Sequence, residues 1–309
     1  MSTAAGPAAA PGSPHGRAGA GTGTAGAGDA PGADLVLPVR TYADGTGRAH
    51  HHAALPVVLL HAFPFDARMW DEVAAALPPD RPVLALDLPG HGAAAGLTPA
   101  EPSLEAVADA VAASLSEVGV ERAVVAGLSM GGYVALALVE RHPELVAGLG
   151  LLDTRTTADA DDARANRLRV ASAVEAGSSV DEVRPMARAV LGATTLAGRP
   201  DVVERVAAWV GEQPPAGVAW SQRAMAARPE RTVALGAYTG PVLVLVGEED
   251  TITPLADAER MRTAAPLADL VVVPAAGHLS AVEQPGPVAA ALERLARRAD
   301  AAAEVRPER

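Results

Sequence analysis

From Asp34 onward, short runs of continuous apolar residues alternate with longer stretches in which apolar residues recur every three or four positions. Pro56-Val57-Val58-Leu59-Leu60 and Pro82-Val83-Leu84-Ala85-Leu86 contain no polar side chain, as expected of strands buried on both faces. Residues 122–128, 146–152, 241–246 and 269–273 continue the series. The segment from Leu35 to Tyr42 predicts an opening antiparallel ribbon. Helical patterns fill the gaps at about residues 71–77, 130–142, from 255 onward, and 282–298. After Ser103, a capping residue type, Leu104, Val107, Val111 and Leu115 fall on one helical face that reaches about Val118. Such alternation predicts an α/β fold, with a mostly parallel sheet covered by helices on both faces.

The alternation stops between about Thr154 and Thr232. Amphipathic helical patterns, punctuated by Pro185, Pro200, Pro214-Pro215 and Pro229, run there without a convincing strand. A stretch of roughly 75 residues is too long for a plain connection and reads as a helical cap inserted between two strands. One domain is expected over residues 34–300, with a core at 34–153 and 233–300 and the cap at about 154–232. Residues 1–33 are rich in Ala, Gly and Pro and have almost no large apolar side chain, so they are expected to be disordered. They lack a secretory signal pattern, and no run of the chain approaches the roughly 20 apolar residues of a membrane span. A cytoplasmic protein is expected, and the residues after about Arg298 are expected to fray.

Composition narrows the chemistry. The chain has 309 residues, 49% hydrophobic and 20% charged, and no cysteine, which removes disulfide frameworks, thiolate metal sites and cysteine nucleophiles. The formal net charge of −12 speaks against a nucleic-acid surface or a polybasic membrane patch. His50-His51-His52 reads as a polar loop rather than a metal tract, because no further ligand is close in sequence. Neither a cofactor nor a metal is implied.

The sharpest feature is Gly127-Leu128-Ser129-Met130-Gly131-Gly132, at the junction of an expected strand and helix. A serine at such a turn is presented above the sheet, and glycines two positions away leave room for the turn. The helix N-terminus then points N–H groups at developing negative charge. A serine nucleophile needs a base. Of the eight histidines, His278 follows the last strand in a loop, where ligand chemistry on parallel sheets belongs. His142 suits a helix C-terminus instead. The acid expected to orient the imidazole is Asp250, after strand 241–246, with Asp153, after strand 146–152, as the fallback; the order Ser129, Asp250, His278 matches one specific arrangement of such a triad. Glu248 and Glu249 read as solvated loop charges.

With these markers, together with Leu60-His61-Ala62-Phe63-Pro64 and Asp87-Leu88-Pro89-Gly90-His91-Gly92, the chain resembles the α/β-hydrolase superfamily. The resemblance lies in its esterase and enol-lactonase-like serine branch with a helical cap, and covers about residues 35–298. It implies that the backbone amides of Phe63 and Met130 form the oxyanion hole. It also implies hydrolysis of a small carboxylic ester, lactone or thioester through an acyl-enzyme. Acyl transfer or perhydrolysis on the same triad, or a ligand receptor on the same fold, are the rival readings. Ala62 departs from the glycine common in such loops, and its methyl narrows the oxyanion loop. His61 and His91 read as loop anchors. In the cap, Met186, Leu191, Trp209, Trp220 and Met225 read as packing, and Arg155, Arg223 and Arg228 as surface charges.

Overall fold

The computed structural model describes residues 35–42, 54–265 and 267–304; the expected tail at 1–33 and the His50-His51-His52 tract lie outside them. Seven strands form one sheet: β1 (Val39–Tyr42), β2 (Val57–Leu60), β3 (Val83–Leu86), β4 (Ala123–Leu128), β5 (Val146–Leu152), β6 (Val242–Gly247) and β7 (Ala268–Val273). Their spatial order is β1-β3-β2-β4-β5-β6-β7, parallel throughout except for β1, which runs antiparallel to β3 at the edge. Every residue of β2 to β6 is buried, whereas β1 and β7 are partly exposed, as edge strands are. The expected opening ribbon is therefore shorter than the sequence suggested. Leu35 to Leu37 pair with no strand, and only β1 joins the sheet.

The connections are helical: α1 (Asp71–Ala76), α2 (Leu104–Glu117) and α3 (Met130–Arg141) precede β3, β4 and β5. Six more helices separate β5 from β6: α4 (Asp161–Gly177), α5 (Met186–Ala189), α6 (Ala193–Gly198), α7 (Pro200–Glu212), α8 (Pro215–Ala227) and α9 (Thr232–Ala237). The chain closes with α10 (Leu255–Ala264), α11 (Ser280–Glu283) and α12 (Pro285–Glu304). Ser103 caps α2 as expected, accepting the Ala106 N–H. Right-handed crossovers fix the layers. The β2–β3 step runs one way along the sheet and the β3–β4 step the other, so α1 and α2 lie on opposite faces. Accordingly α12 packs on α1, while α2 packs on α3 and α9 on both α3 and α10.

The sheet order reverses between β2 and β4. In open parallel sheets the crevice at the carboxyl ends of such strands is where ligands bind, and here His61 and Ser129 follow those two ends directly.

The closing helix differs from expectation. It does not fray after Arg298 but continues to Glu304. Asp300 accepts the Leu55 N–H at 2.8 Å and pairs with the buried Arg81 at 2.8 Å, so the last turn is fastened to the segment leading into β2. Sequence pattern alone does not show that partner, which lies 245 residues away.

Candidate active site

Ser129 is the single residue between β4 and α3, with φ 54° and ψ −111°, a conformation that side-chain-bearing residues rarely adopt. Its backbone is tied on both sides. The N–H donates to the Leu152 carbonyl at 2.9 Å, and the carbonyl accepts the Gly132 N–H at 3.0 Å and the Thr154 hydroxyl at 2.8 Å. The flanking glycines are required by close approach: a Cβ on Gly127 would overlap the Gly131 backbone, and one on Gly131 would overlap the Leu60 carbonyl. The second contact also seats the loop after β2 against the first turn of α3.

The Ser129 hydroxyl donates to Nε2 of His278 at 2.8 Å. Nδ1 of His278 lies 2.9 Å from Oδ2 of Asp250, the arrangement in which the ring N–H donates to the carboxylate. Asp250 is otherwise saturated. Oδ1 accepts the N–H groups of Ile252 at 2.7 Å and Thr253 at 3.0 Å, and Oδ2 accepts the Thr253 hydroxyl at 2.6 Å. Burial pushes the Asp250 carboxyl up, but hydrogen bonds from His278 and Thr253 outweigh it and leave it below the usual carboxylate range.

The rival acid, Asp153, is brought nearby but into a different job. Fully buried, it accepts the Gly247 N–H at 2.8 Å and the Ser280 hydroxyl. Burial, and then the neighbouring Asp250 charge, raise its carboxyl well above the usual range, so it is held toward the neutral acid. Gly247 opens the loop that carries Asp250, and Ser280 follows His278 by two residues, so Asp153 ties together the two loops that its competitor bridges.

Phe63 and Met130 are both buried, and the Phe63–Pro64 peptide is cis. Among the described residues, the backbone amides of Phe63 and Met130 donate to no protein acceptor. Ala62 is accommodated, fully buried, with its N–H 3.2 Å from the Met69 sulfur. Among the described residues no group of three or more His, Asp or Glu side chains is arranged to hold a metal ion.

A family model described as alpha/beta hydrolase fold matches residues 56–285. The chain belongs to this family. A thermophilic esterase from Thermogutta terrifontis, solved with malate bound, is similar at 35% identity and a TM-score of 0.78, over 85% of this chain and 94% of that one. A pimeloyl-[acyl-carrier protein] methyl ester esterase of Neisseria meningitidis is 41% identical over 111 residues, a match that spans only 34% of that relative's length. The enol-lactonase from Burkholderia xenovorans, at 22% identity and a TM-score of 0.71, shares the fold.

In this α/β hydrolase two further histidines brace the loop after β2, and both are fully buried. His61 donates from Nδ1 to the Ala62 carbonyl at 2.9 Å and accepts the Leu88 N–H at Nε2 at 2.8 Å. His91 donates from Nδ1 to Gln213 at 3.0 Å and accepts the Ser221 hydroxyl at 2.9 Å, while its ring meets that of Phe63 edge-on at 6.1 Å. Gln213 and Ser221 come from the end of α7 and from α8, so His91 joins the inserted helices to the Phe63 loop. Burial lowers the pKa of both histidines, that of His91 from 6.5 to about 3. The fold therefore resists protonating both rings, most strongly that of His91, whereas the unfolded chain takes up their protons below about pH 6.5. This contribution to stability is full above that pH and is lost on acidification, by up to about 1.4 kcal/mol per pH unit through His91 and in the same direction through His61. Urea unfolding at pH 7 and pH 5 measures this, and equal midpoints would contradict it.

The inserted helices mostly behave as their sequence suggested. Leu191 and Met225 are buried, the Trp220 indole donates to the Pro99 carbonyl at 3.0 Å, and Trp209 lies beneath Arg68 and Arg205. Arg223 is a surface pair with Glu175. Two expectations fail. Arg228 is buried, 4.2 Å over the Tyr133 ring and paired with Asp159 at 2.7 Å. Glu249 is no free loop charge, because it accepts the Thr194 N–H at 2.8 Å. The bonds from Thr253 to Asp250 were not expected: they close an aspartate turn ahead of α10, in which Oδ1 accepts the N–H groups two and three residues on.

Proposed function

We propose that this α/β hydrolase cleaves a small carboxylic ester, lactone or thioester through an acyl-enzyme on Ser129. The observation that carries the reading is the unbroken hydrogen-bond line from the Ser129 hydroxyl through His278 to Asp250. Ser129 attacks the carbonyl carbon as its proton passes to Nε2 of His278. Asp250 holds the ring in the tautomer that leaves Nε2 free to accept and stabilises the imidazolium that forms. The Phe63 and Met130 amides take the oxyanion, each worth about 2.7–4 kcal/mol in the transition state. His278 then protonates the leaving group and activates the water that releases the acyl group. Similarity to the Thermogutta esterase over most of both chains supports ester hydrolysis.

The α4–α8 segment is proposed as a cap that selects the substrate, while α9 belongs with the core helices α3 and α10 on which it rests. The test is labelling with a fluorophosphonate probe, followed by turnover of short p-nitrophenyl esters and lactones. Labelling at Ser129 with multiple turnovers of any of these substrates is expected. A folded protein that resists the probe refutes an activated serine. A single burst without a second turnover would instead mark a ligand receptor.

A further inference from the structure

Glu283, on α11, is 1% exposed, yet its carboxylate partners are N–H and hydroxyl groups rather than a cation. Oε1 accepts the N–H of Gly277 at 2.8 Å, and Oε2 accepts that of Gly192 at 2.8 Å. The Thr195 side chain adds a further hydrogen bond. Gly277 immediately precedes His278, whereas Gly192 lies in the turn between α5 and α6, far away in sequence. A carboxylate buried in this way is costly unless its oxygens organise donors that would otherwise be unpaired. Burial indeed pushes the Glu283 carboxyl up, against the opposing pull of those hydrogen bonds.

Other contacts at the same junction point the same way. The Leu279 N–H donates to the Val190 carbonyl at 3.1 Å, and the Arg199 guanidinium to the Glu283 carbonyl at 2.7 Å. Glu249, beside Asp250, accepts the Thr194 N–H and hydroxyl, while its own N–H donates to Ala276 at 2.8 Å. Residues 190–195 thus touch the loops of both the acid and the base. The contact is backbone on backbone: a Cβ on Gly277 would overlap the Gly192 amide nitrogen. On the far side of His278, the Ser280 hydroxyl is held by Asp153. The loop bearing His278 is therefore gripped before and after the histidine by two buried carboxylates, neither of which touches the reacting atoms.

We infer that Glu283 is a positioning residue that sets His278 against Ser129 and Asp250, by fastening its loop to the 190–195 turn of the inserted helices. It follows that this turn is a fixed part of the catalytic frame, and any opening of the cap hinges elsewhere. The inference rests on the assignment of Ser129 and His278 proposed above. In Glu283→Gln, one oxygen is replaced by an NH2 group that faces a backbone N–H donor, so one of the two clamps is lost. A shift of about 1 Å in a catalytic group costs on the order of 100-fold.

The experiment compares fluorophosphonate labelling rates and the pH profile of kcat/KM in wild type, Glu283→Gln and Val282→Ala, the last a buried neighbour on α11 outside the clamp. Glu283→Gln is expected to label about 10–100-fold more slowly, with kcat lowered, KM nearly unchanged and the acidic limb displaced. Val282→Ala is expected to lose melting temperature while keeping the wild-type profile. Thr194→Val, an exposed change at the Glu249 clip, serves if Glu283→Gln does not fold, and a slower labelling rate is expected there too. Wild-type rates and profiles in these clamp variants overturn the positioning role alone. An unlabelled wild type overturns the serine assignment and this inference with it.

Discussion

Ser129→Ala is expected to lower turnover by about 10⁴–10⁶-fold with the fold intact, and Ser129→Gly to be as inactive yet more stable than Ser129→Ala. The nucleophile's loss removes the covalent route altogether, leaving only binding and the oxyanion donors. The stability difference comes from the backbone. At φ 54° and ψ −111° a residue with a Cβ carries strain of about 1–3 kcal/mol, which alanine keeps and glycine relieves. Against this, glycine frees the unfolded chain by about 0.4–1 kcal/mol. Strain relief is the larger effect, so Ser129→Gly should melt above Ser129→Ala, by a few degrees in a domain of this size. Calorimetry on the two variants and a kcat measurement check both claims. Turnover surviving in Ser129→Ala would remove the serine from the mechanism. A glycine variant no more stable than the alanine one would mean that the turn holds no strain.

The second large effect separates two buried aspartates. Asp250→Asn is expected to cost about 10⁴-fold in kcat, because an amide NH2 aimed at Nδ1 favours the imidazole tautomer whose Nε2 carries a proton and cannot take one from Ser129. Asp153→Asn is expected to cost less than about tenfold. Asp153 is already held toward its neutral acid, and an asparagine of nearly the same shape can accept the Gly247 N–H and donate to the Ser280 hydroxyl. Steady-state kinetics on the two variants decide between the carboxylates. A reversed order of losses would move the triad acid to Asp153.

The elements that the chain announced most clearly were those whose cause is local. Strands β2 to β6 are buried on both faces and appear in the sequence as unbroken apolar runs. Strand β5 occupies the residues expected for it, and the others are displaced by a residue or so at their ends. The Ser129 turn was legible because close approach to Leu60 and Gly131 leaves only glycine at fixed positions around it. Asp250 and His278, which the fold brings within hydrogen-bonding distance, were legible as candidates because each follows a strand at the carboxyl edge of the sheet. The edge strand β1 was overdrawn, since its pairing depends on β3 and not on its own pattern.

By itself, then, the sequence determined the layered α/β architecture, the serine at its turn and the histidine in its loop. These follow from periodicity, turn sterics and chain order, which act over a few residues. Only the tertiary structure showed which aspartate faces the imidazole, because Asp153 and Asp250 both follow strands at the same sheet edge, and what separates them is the partners brought to each by the fold. It alone revealed that Arg228 is buried, that His91 binds Gln213 and Ser221, and that Glu283 joins Gly192 to Gly277. Apart from the bond from Gly277 to Glu283, which spans 6 residues, these hydrogen bonds join residues 91 or more positions apart and leave no periodic trace in the chain, and burial of a charge is a property of its neighbours rather than of its own letter.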